Sequence, residues 1–363
     1  MSFLDKLIAN TIRADVRAIG AYAVPDASGY VKLDSMENPY PLPEALRREL
    51  GLRLADVMLN RYPESYSTLT QRICTRLGVP EGYGVILGNG SNELISLIAM
   101  ATAQQERRAV MLAPVPAFVM FARAAKLAGM DFVGVPLQAD FSLDLPAMLA
   151  AIAEHKPAVV FLAYPNNPTG NLFDSGDIER IIAALGDGGI AVVDEAYEPF
   201  ARQSFMPRLP EFENLVVMRT LSKLGLAGIR LGYLSAAPQL LEQFEKVRPP
   251  YNINVMTQAA AEFALDHLDV LERQAGLLNA ARSELMARLA ALPGVEVFPS
   301  AANFILIRVP DSDYANEKLI AHRVLVKNMS KMHPVLNNCL RITVSTPEEN
   351  SVFFEALKAS LTA

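Results

Sequence analysis

Between Val85 and Met218 the chain alternates short, nearly unbroken apolar runs with longer amphipathic stretches. A strand covered on both faces has no solvent side to mark with polar residues, so unbroken runs separated by helical spacing point to a mainly parallel sheet with helices on both faces. The predicted strands are Val85–Leu87, Ala109–Ala113, Phe132–Val135, Val159–Ala163, Ile190–Val193 and Leu215–Met218. Turn and polar residues follow these runs, notably Gly88-Asn89-Gly90-Ser91, Tyr164-Pro165-Asn166-Asn167-Pro168, Asp194-Glu195 and Thr220-Leu221-Ser222-Lys223. Ligands of open α/β sheets bind beyond the carboxyl ends of the strands, so the polar residues collect where a site is expected.

A length of 363 residues allows about two domains. Past Pro249-Pro250 the sequence predicts one long helix over Thr257–Leu292, stopped at Pro293-Gly294. Strand-like runs Phe304–Val309 and Leu340–Val344 and a helix over Pro347–Leu361 complete a smaller α/β unit. The beginning holds one ambiguous helix and the Pro-rich Glu37-Asn38-Pro39-Tyr40-Pro41, which reads as an arm. The expected division is 1–47 as arm and part of the small domain, 48–252 as the large domain and 253–363 as the small C-terminal domain.

Several chemistries are poorly supported. No Gly-Lys dipeptide exists for a phosphate loop, and the Gly186, Gly188, Ala191 spacing follows a helical pattern and leads into a strand, the reverse of a dinucleotide fingerprint. The histidines His155, His267, His322 and His333 and the lone Cys74 and Cys339 have no metal-ligand spacing, so no metal is expected. No G-x-S-x-G elbow occurs. A net charge of −6 argues against a nucleic-acid partner. Asp5, Lys6 and Asp15 leave no apolar leader core, and Leu94–Ala103 is too short to cross a membrane. With two unpaired cysteines, the expectation is a cytoplasmic, soluble protein without a membrane partner.

Four elements carry chemistry. Asp194 closes a buried strand, either as a cap of the next turn or as a functional acid. Lys223 follows Ser222 beyond another strand; a loop lysine is ordinarily a solvated charge, but Gly225, Gly228 and Gly232 around Arg230 suggest backbone packed against an anion. Gly88 to Glu93 opens a helix whose backbone N–H groups could receive a phosphate, with Ser91 as the expected cap. Asn166 and Asn167 sit in a stiff Pro-flanked loop suited to holding a ligand oxygen. An amine, a carboxylate, a phosphate-binding helix start, an arginine and a rigid amide form the set that pyridoxal phosphate requires.

At these residues the chain resembles the aspartate-aminotransferase superfamily, and most closely its histidinol-phosphate aminotransferases. The blocks are Asn-Asn-Pro-Thr-Gly at Asn166 to Gly170, Asp-Glu-Ala-Tyr at Asp194 to Tyr197, Thr-Leu-Ser-Lys with Gly-Leu-Ala-Gly-Ile-Arg from Thr220 to Arg230, and Asn-Cys-Leu-Arg-Ile-Thr from Asn338 to Thr343. The resemblance implies the fold type I of pyridoxal-phosphate enzymes, pyridoxal 5′-phosphate as cofactor, and transamination of L-histidinol phosphate with 2-oxoglutarate. It makes Lys223 the cofactor-bearing amine and proton carrier, Asp194 the partner of the ring nitrogen, and Asn167 and Tyr197 the partners of the ring hydroxyl. Ser91, Asn92, Ser222 and Arg230 correspond to phosphate ligands and Phe118 to the residue stacked on the ring.

The same resemblance assigns Tyr62, in Arg61-Tyr62-Pro63, to the cofactor phosphate of a second copy, and so implies a homodimer. It assigns Tyr22, Asn167, Lys327 and Arg341 to the substrate. Lys327 replaces an arginine common in the family, exchanging a planar fork for a point charge. The stretch Ser330 to His333 matches no family block and receives no role. Two alternatives share the scaffold: an aromatic amino acid aminotransferase, and a lyase resembling threonine-phosphate decarboxylase.

Overall fold

A computed structural model describes residues 1–21, 26–63, 65–104 and 108–361. A short strand β1 (Val31–Lys32) precedes the expected apolar runs, which become β2 (Gly84–Gly88), β3 (Val110–Val115), β4 (Asp131–Pro136), β5 (Val159–Ala163), β6 (Ile190–Asp194) and β7 (Leu215–Thr220). A further strand, β8 (Gly232–Ala236), was not expected from its mixed Gly-Tyr-Leu-Ser-Ala composition. The seven strands lie in the order β2-β8-β7-β6-β5-β3-β4, with β8 antiparallel to both neighbours and the pairings among β3 to β7 parallel.

Packing explains the unbroken runs. Along β6, Ala191 and Val193 enter one apolar cluster while Val192 enters another on the opposite face; along β7, Leu215 and Val217 divide from Val216 and Met218 in the same way. Because both faces are covered, the positions up to Val193 in β6 and Met218 in β7 are apolar, and the polar residues begin only at the strand ends. The dismissed Gly186 to Ala191 spacing indeed joins the helix Ser175–Leu185 to β6.

The C-terminal third forms a four-stranded antiparallel sheet from β9 (Glu296–Val297), β10 (Phe304–Arg308), β12 (Lys327–Asn328) and β13 (Cys339–Thr343), while β11 (Val324–Leu325) pairs with β1 of the arm. The last helix spans Pro347–Leu361 as expected. The expected single helix over Thr257–Leu292 is instead two, Val255–Asp266 and Leu268–Ala290, broken at His267, where φ is −116° and ψ 30°. The His267 N–H closes on Ala264, and the bend allows Leu265 and Leu268 on its two sides both to be buried. The region before residue 56 likewise holds three helices, Phe3–Thr11, Ala14–Arg17 and Glu44–Ala55, rather than one. A third apolar cluster joins Leu33 and Met36 of the arm, Tyr197 and Phe200 near the end of β6, and the C-terminal sheet, so the arm is packed into the seam beside the strand ends.

Candidate active site

β6 delivers Asp194 to the pocket, and strand alternation sends the next side chain the other way. Glu195 is buried against Arg219 at 2.8 Å on the far side, whereas Asp194 lines the cavity. One Asp194 oxygen accepts from the Ala196 N–H at 3.1 Å, so the residue does cap its turn while facing the pocket. Burial, reinforced by the nearby Glu195, pushes the Asp194 carboxyl up to about 7. A carboxylate in this position gains from a cationic N–H partner.

Beyond β7 the chain makes a single wide turn, Ser222–Leu226, closed by the Leu226 N–H on the Leu221 carbonyl, that carries Lys223. The amine donates to the Ser35 carbonyl at 3.0 Å. Its enclosure, helped by the Arg341 and Arg230 charges and opposed by Glu37, lowers Lys223 to about 8. An amine poised there exchanges protons near neutral pH.

The anion end is built from close backbone approach. The helix Ser91–Thr102 starts after Gly90, which takes the cap position with φ 73°; Ser91 is the first helical residue, not the expected cap. A Cβ on Gly90 would stand 2.5 Å from Arg230 Nη2, and one on Gly232 would stand 2.9 Å from the Ser91 nitrogen. Glycine at both positions lets the guanidinium and the helix start converge. Arg230 itself adopts φ 53° and donates to Ser222 Oγ at 3.2 Å, while Thr220 Oγ1 donates to the same hydroxyl at 3.0 Å.

Opposite this end, Asn167 links two expected site residues. Its Nδ2 donates to the Tyr197 hydroxyl oxygen at 3.0 Å, and its Oδ1 accepts from Arg341 Nη1 at 2.6 Å. Arg341 Nη2 also donates to the Asp34 carbonyl at 3.0 Å. Burial raises the Tyr197 phenol well above its ordinary value, so it remains protonated and able to donate.

Ser91, Asn92, Phe118, Asn167, Asp194, Tyr197, Ser222, Lys223 and Arg230 all line one cavity of about 600 Å³. An adjoining cavity of about 900 Å³ shares Phe118, Asn167 and Lys223 and adds Lys327 and Arg341. Tyr62 lies in neither; it is 76% exposed and stacks on Tyr251 at 4.7 Å. Tyr22 falls outside the described residues. Asp34, Ser35 and Met36 of the arm also line the second cavity, as do Met329 and Met332 around the stretch that received no role. The arm reaches the site through backbone carbonyls, which any residue type supplies, and no motif marks them.

The residues fit pyridoxal phosphate on the chemistry of their donors. A buried carboxylate, an enclosed amine, an aromatic side chain, and a helix start with hydroxyls and a guanidinium face one space, matching ring nitrogen, aldehyde, ring face and phosphate. Among the described residues, no His, Cys, Asp and Glu cluster is able to hold a metal ion.

Comparison with known proteins agrees with this chemistry. Residues 28–357 match the family model of aminotransferase class I and II. Histidinol-phosphate aminotransferase 1 of Ralstonia nicotianae is 60% identical over 362 residues, covering 99% of this chain and 96% of that protein. Histidinol-phosphate aminotransferase 2 of Cupriavidus pinatubonensis is 60% identical over 366 aligned positions, covering 99% of this chain and all of that protein. Among solved structures, a histidinol-phosphate aminotransferase from Sinorhizobium meliloti in complex with pyridoxal-5′-phosphate superposes with a TM-score of 0.84 at 23% identity, covering 97% of this chain and 98% of that one. An L-threonine-O-3-phosphate decarboxylase from Porphyromonas gingivalis gives 0.76 at 22% identity over 92% and 99% of the two chains, so the fold alone does not separate transferase from lyase. With the family model spanning nearly its whole length and relatives at 60% identity, the chain belongs to the class I and II aminotransferases, in the branch of the histidinol-phosphate aminotransferases.

Proposed function

We propose that the chain is a histidinol-phosphate transaminase, exchanging the amino group of L-histidinol phosphate with 2-oxoglutarate to give imidazole acetol phosphate and glutamate in histidine biosynthesis. The observation that carries the substrate reading is the pairing of Lys327 with Arg341 across the β12–β13 ladder, both lining the cavity that reaches Lys223. Like charges set directly opposite on a sheet repel, and a phosphate between them converts that repulsion into attraction.

Pyridoxal 5′-phosphate, when bound, supplies an electron sink for the bonding pair left as the substrate's α-proton departs. Lys223 would carry it, and its amine moves the proton at the substrate's amine-bearing carbon. Asp194 holds the ring-nitrogen proton, while Asn167 and Tyr197 hold the ring hydroxyl. Ser91, Asn92, Ser222 and Arg230 hold the phosphate and Phe118 covers the ring. Arg341 and Lys327 orient the substrate's anionic group, and Tyr22 is assigned to the substrate as well.

The proposal includes a homodimer in which Tyr62 of each copy serves the other's site. Its support is the exposure of Tyr62 together with Met58 (60% exposed) and Leu59 (71%), an apolar edge that a second copy would cover. The cofactor unit is taken as 48–252, with 1–47 and 253–363 enclosing the substrate. Among the described residues no helix is long and apolar enough to cross a membrane, and the unpaired Cys74 and Cys339 suit the reducing cytoplasm. No nucleic acid is expected to bind.

A half-reaction panel tests the reading. Adding L-histidinol phosphate to the cofactor-loaded protein is expected to bleach the visible band, without carbon dioxide release. Bleaching by phenylalanine or tyrosine alone, or carbon dioxide release from O-phosphothreonine, would replace it with one of the alternatives.

A further inference from the structure

Asn38 lies in the Glu37-Asn38-Pro39 passage of the arm, far in sequence from the catalytic turn, yet its side chain ends there. Its Nδ2 donates to the Leu224 carbonyl at 3.2 Å and to Gln274 Oε1 at 2.9 Å, and its Oδ1 accepts from the Tyr40 N–H at 2.9 Å. Leu224 directly follows Lys223. Gly225 comes next with φ 128°, and a Cβ there would stand 2.9 Å from Asn38 Nδ2. The amide reaches the turn because residue 225 has no side chain.

The same stretch of arm also meets the lysine itself, since Ser35 supplies the carbonyl that receives the Lys223 amine. Between the two contacts Met36 takes the left-handed φ of 54°, a conformation that costs a non-glycine residue energy and persists where neighbours impose it. Those neighbours are the Thr343 hydroxyl, which accepts from the Met36 N–H at 2.9 Å, and Asn303, which donates to the Met36 carbonyl at 3.0 Å. Gln274, buried, completes the frame by donating to the Pro41 carbonyl at 3.1 Å.

We infer that Asn38 is a positioning residue for Lys223: it fixes the peptide after the lysine, so that the amine is held between the arm and the cofactor cavity. The inference rests on Lys223 carrying the cofactor. A side chain that merely glued the arm to the large sheet would lower stability when removed but leave the lysine's chemistry as it was. Positioning predicts more, because a loss of about 1 Å in placement costs on the order of 10²-fold in rate.

Asn38 is uncharged, so its replacement leaves in being the charges around the amine: Arg341 on β13, Arg230 beyond the turn, Asp194 on β6, and Glu37 and Lys32 of the arm. A change in the lysine's titration then reports a change in its placement. The test compares cofactor-loaded wild type, Asn38→Ala, Asn38→Asp and Gln274→Ala by three readouts: the pH midpoint of the visible band, kcat and KM for L-histidinol phosphate, and the unfolding temperature.

Asn38→Ala is expected to lower kcat about 10²-fold with a smaller change in KM, and to move the midpoint upward as water reaches the protonated nitrogen. Asn38→Asp keeps an acceptor for Tyr40 but has no donor for Leu224, so its kcat should fall as the alanine variant's does; its midpoint also carries the added carboxylate's charge, so placement is read from the midpoints of the uncharged variants alone. Gln274→Ala, leaving the Leu224 bond, should shift both readouts in the same direction by less. Unchanged kcat and midpoint in Asn38→Ala, whatever its unfolding temperature, overturns the inference. Should that variant not fold, an unchanged midpoint and kcat in Gln274→Ala overturns it. A wild type with no visible band dependent on Lys223 overturns the cofactor reading itself, a different result from either.

Discussion

Arg341 donates to Asn167 at 2.6 Å, and the same Asn167 amide donates to Tyr197, so the residue assigned to the substrate's anion and the residue assigned to the cofactor's hydroxyl share one intermediary. With the proposed roles, an anion bound at Arg341 would pull, through Asn167, on the groups that hold the cofactor ring. Lysine at 341 has no planar fork to serve Asn167, Asp34 and a substrate together. Arg341→Lys is expected to lose about 2 kcal/mol of transition-state binding, roughly 30-fold in kcat/KM, and to shift the visible band of the substrate-free enzyme. Steady-state kinetics with an absorbance scan checks both; a KM effect with an unmoved band would remove Asn167 as intermediary.

Burial gives Asp194 a stability signature with a definite sign. Its folded value is raised from 3.8 to about 7, so its contribution to stability is fully present below about 3.8 and is lost as pH rises through about 7. In cofactor-free protein, Asp194→Asn should therefore unfold at a higher temperature than wild type at pH 8. The advantage should shrink on acidification and vanish near pH 4. Loading with pyridoxal phosphate should reverse the order at pH 8, since a protonated ring nitrogen favours the carboxylate. Thermal unfolding of both proteins over this pH range, with and without cofactor, decides the matter.

Sequence periodicity carried the sheet because doubly covered strands admit little but apolar residues. It failed at β8, where Ser235 is fully buried yet satisfied by donating to the Gly84 carbonyl at 2.8 Å. Hydrogen bonding replaced hydrophobicity at that position, leaving no apolar run to recognise. The break at His267 was similarly invisible because neither proline nor glycine stands there and Ala- and Leu-rich sequence continues on both sides. In the site, the side chains proposed to do chemistry were legible as motifs. The arm's contribution was not: Arg341 reaches the Asp34 carbonyl across 307 residues of sequence, and Lys223 reaches Ser35 across 188. Long-range contacts to backbone atoms constrain shape, not residue type.

Gly90 tests the convergence at the anion end. Alanine there would place its Cβ 2.5 Å from Arg230 Nη2 and would have to adopt φ 73°. At φ 73° and ψ 174° the backbone is in a region essentially reserved for glycine and costs a side-chain-bearing residue about 1–3 kcal/mol, and the displaced guanidinium weakens the charge-assisted bonds to a phosphate. Gly90→Ala is expected to raise the dissociation constant of pyridoxal phosphate by at least about tenfold, measured by equilibrium dialysis, while pyridoxal lacking the phosphate binds the two proteins alike. Equal weakening toward both compounds would mean a general collapse of the pocket.

The role proposed for Lys327 distinguishes the phosphorylated amine from the second substrate. Its partner Arg341 is buried and fixed by Asn167 and Asp34, whereas Lys327 is exposed and carries its charge on a long stem, which suits it to a phosphate held farther from the reacting carbon. Lys327→Ala should raise KM for L-histidinol phosphate about tenfold or more and alter KM for glutamate in the reverse reaction much less, because glutamate brings no phosphate. Lys327→Arg should bind the phosphorylated amine at least as tightly as wild type, since the guanidinium offers two parallel donors. The salt dependence gives a further check: raising ionic strength should weaken phosphate binding in wild type more than in Lys327→Ala, because exposed charges are the ones that salt screens. A Lys327→Ala enzyme with equal losses toward both substrates would put the phosphate elsewhere and leave Arg341 alone as its anchor.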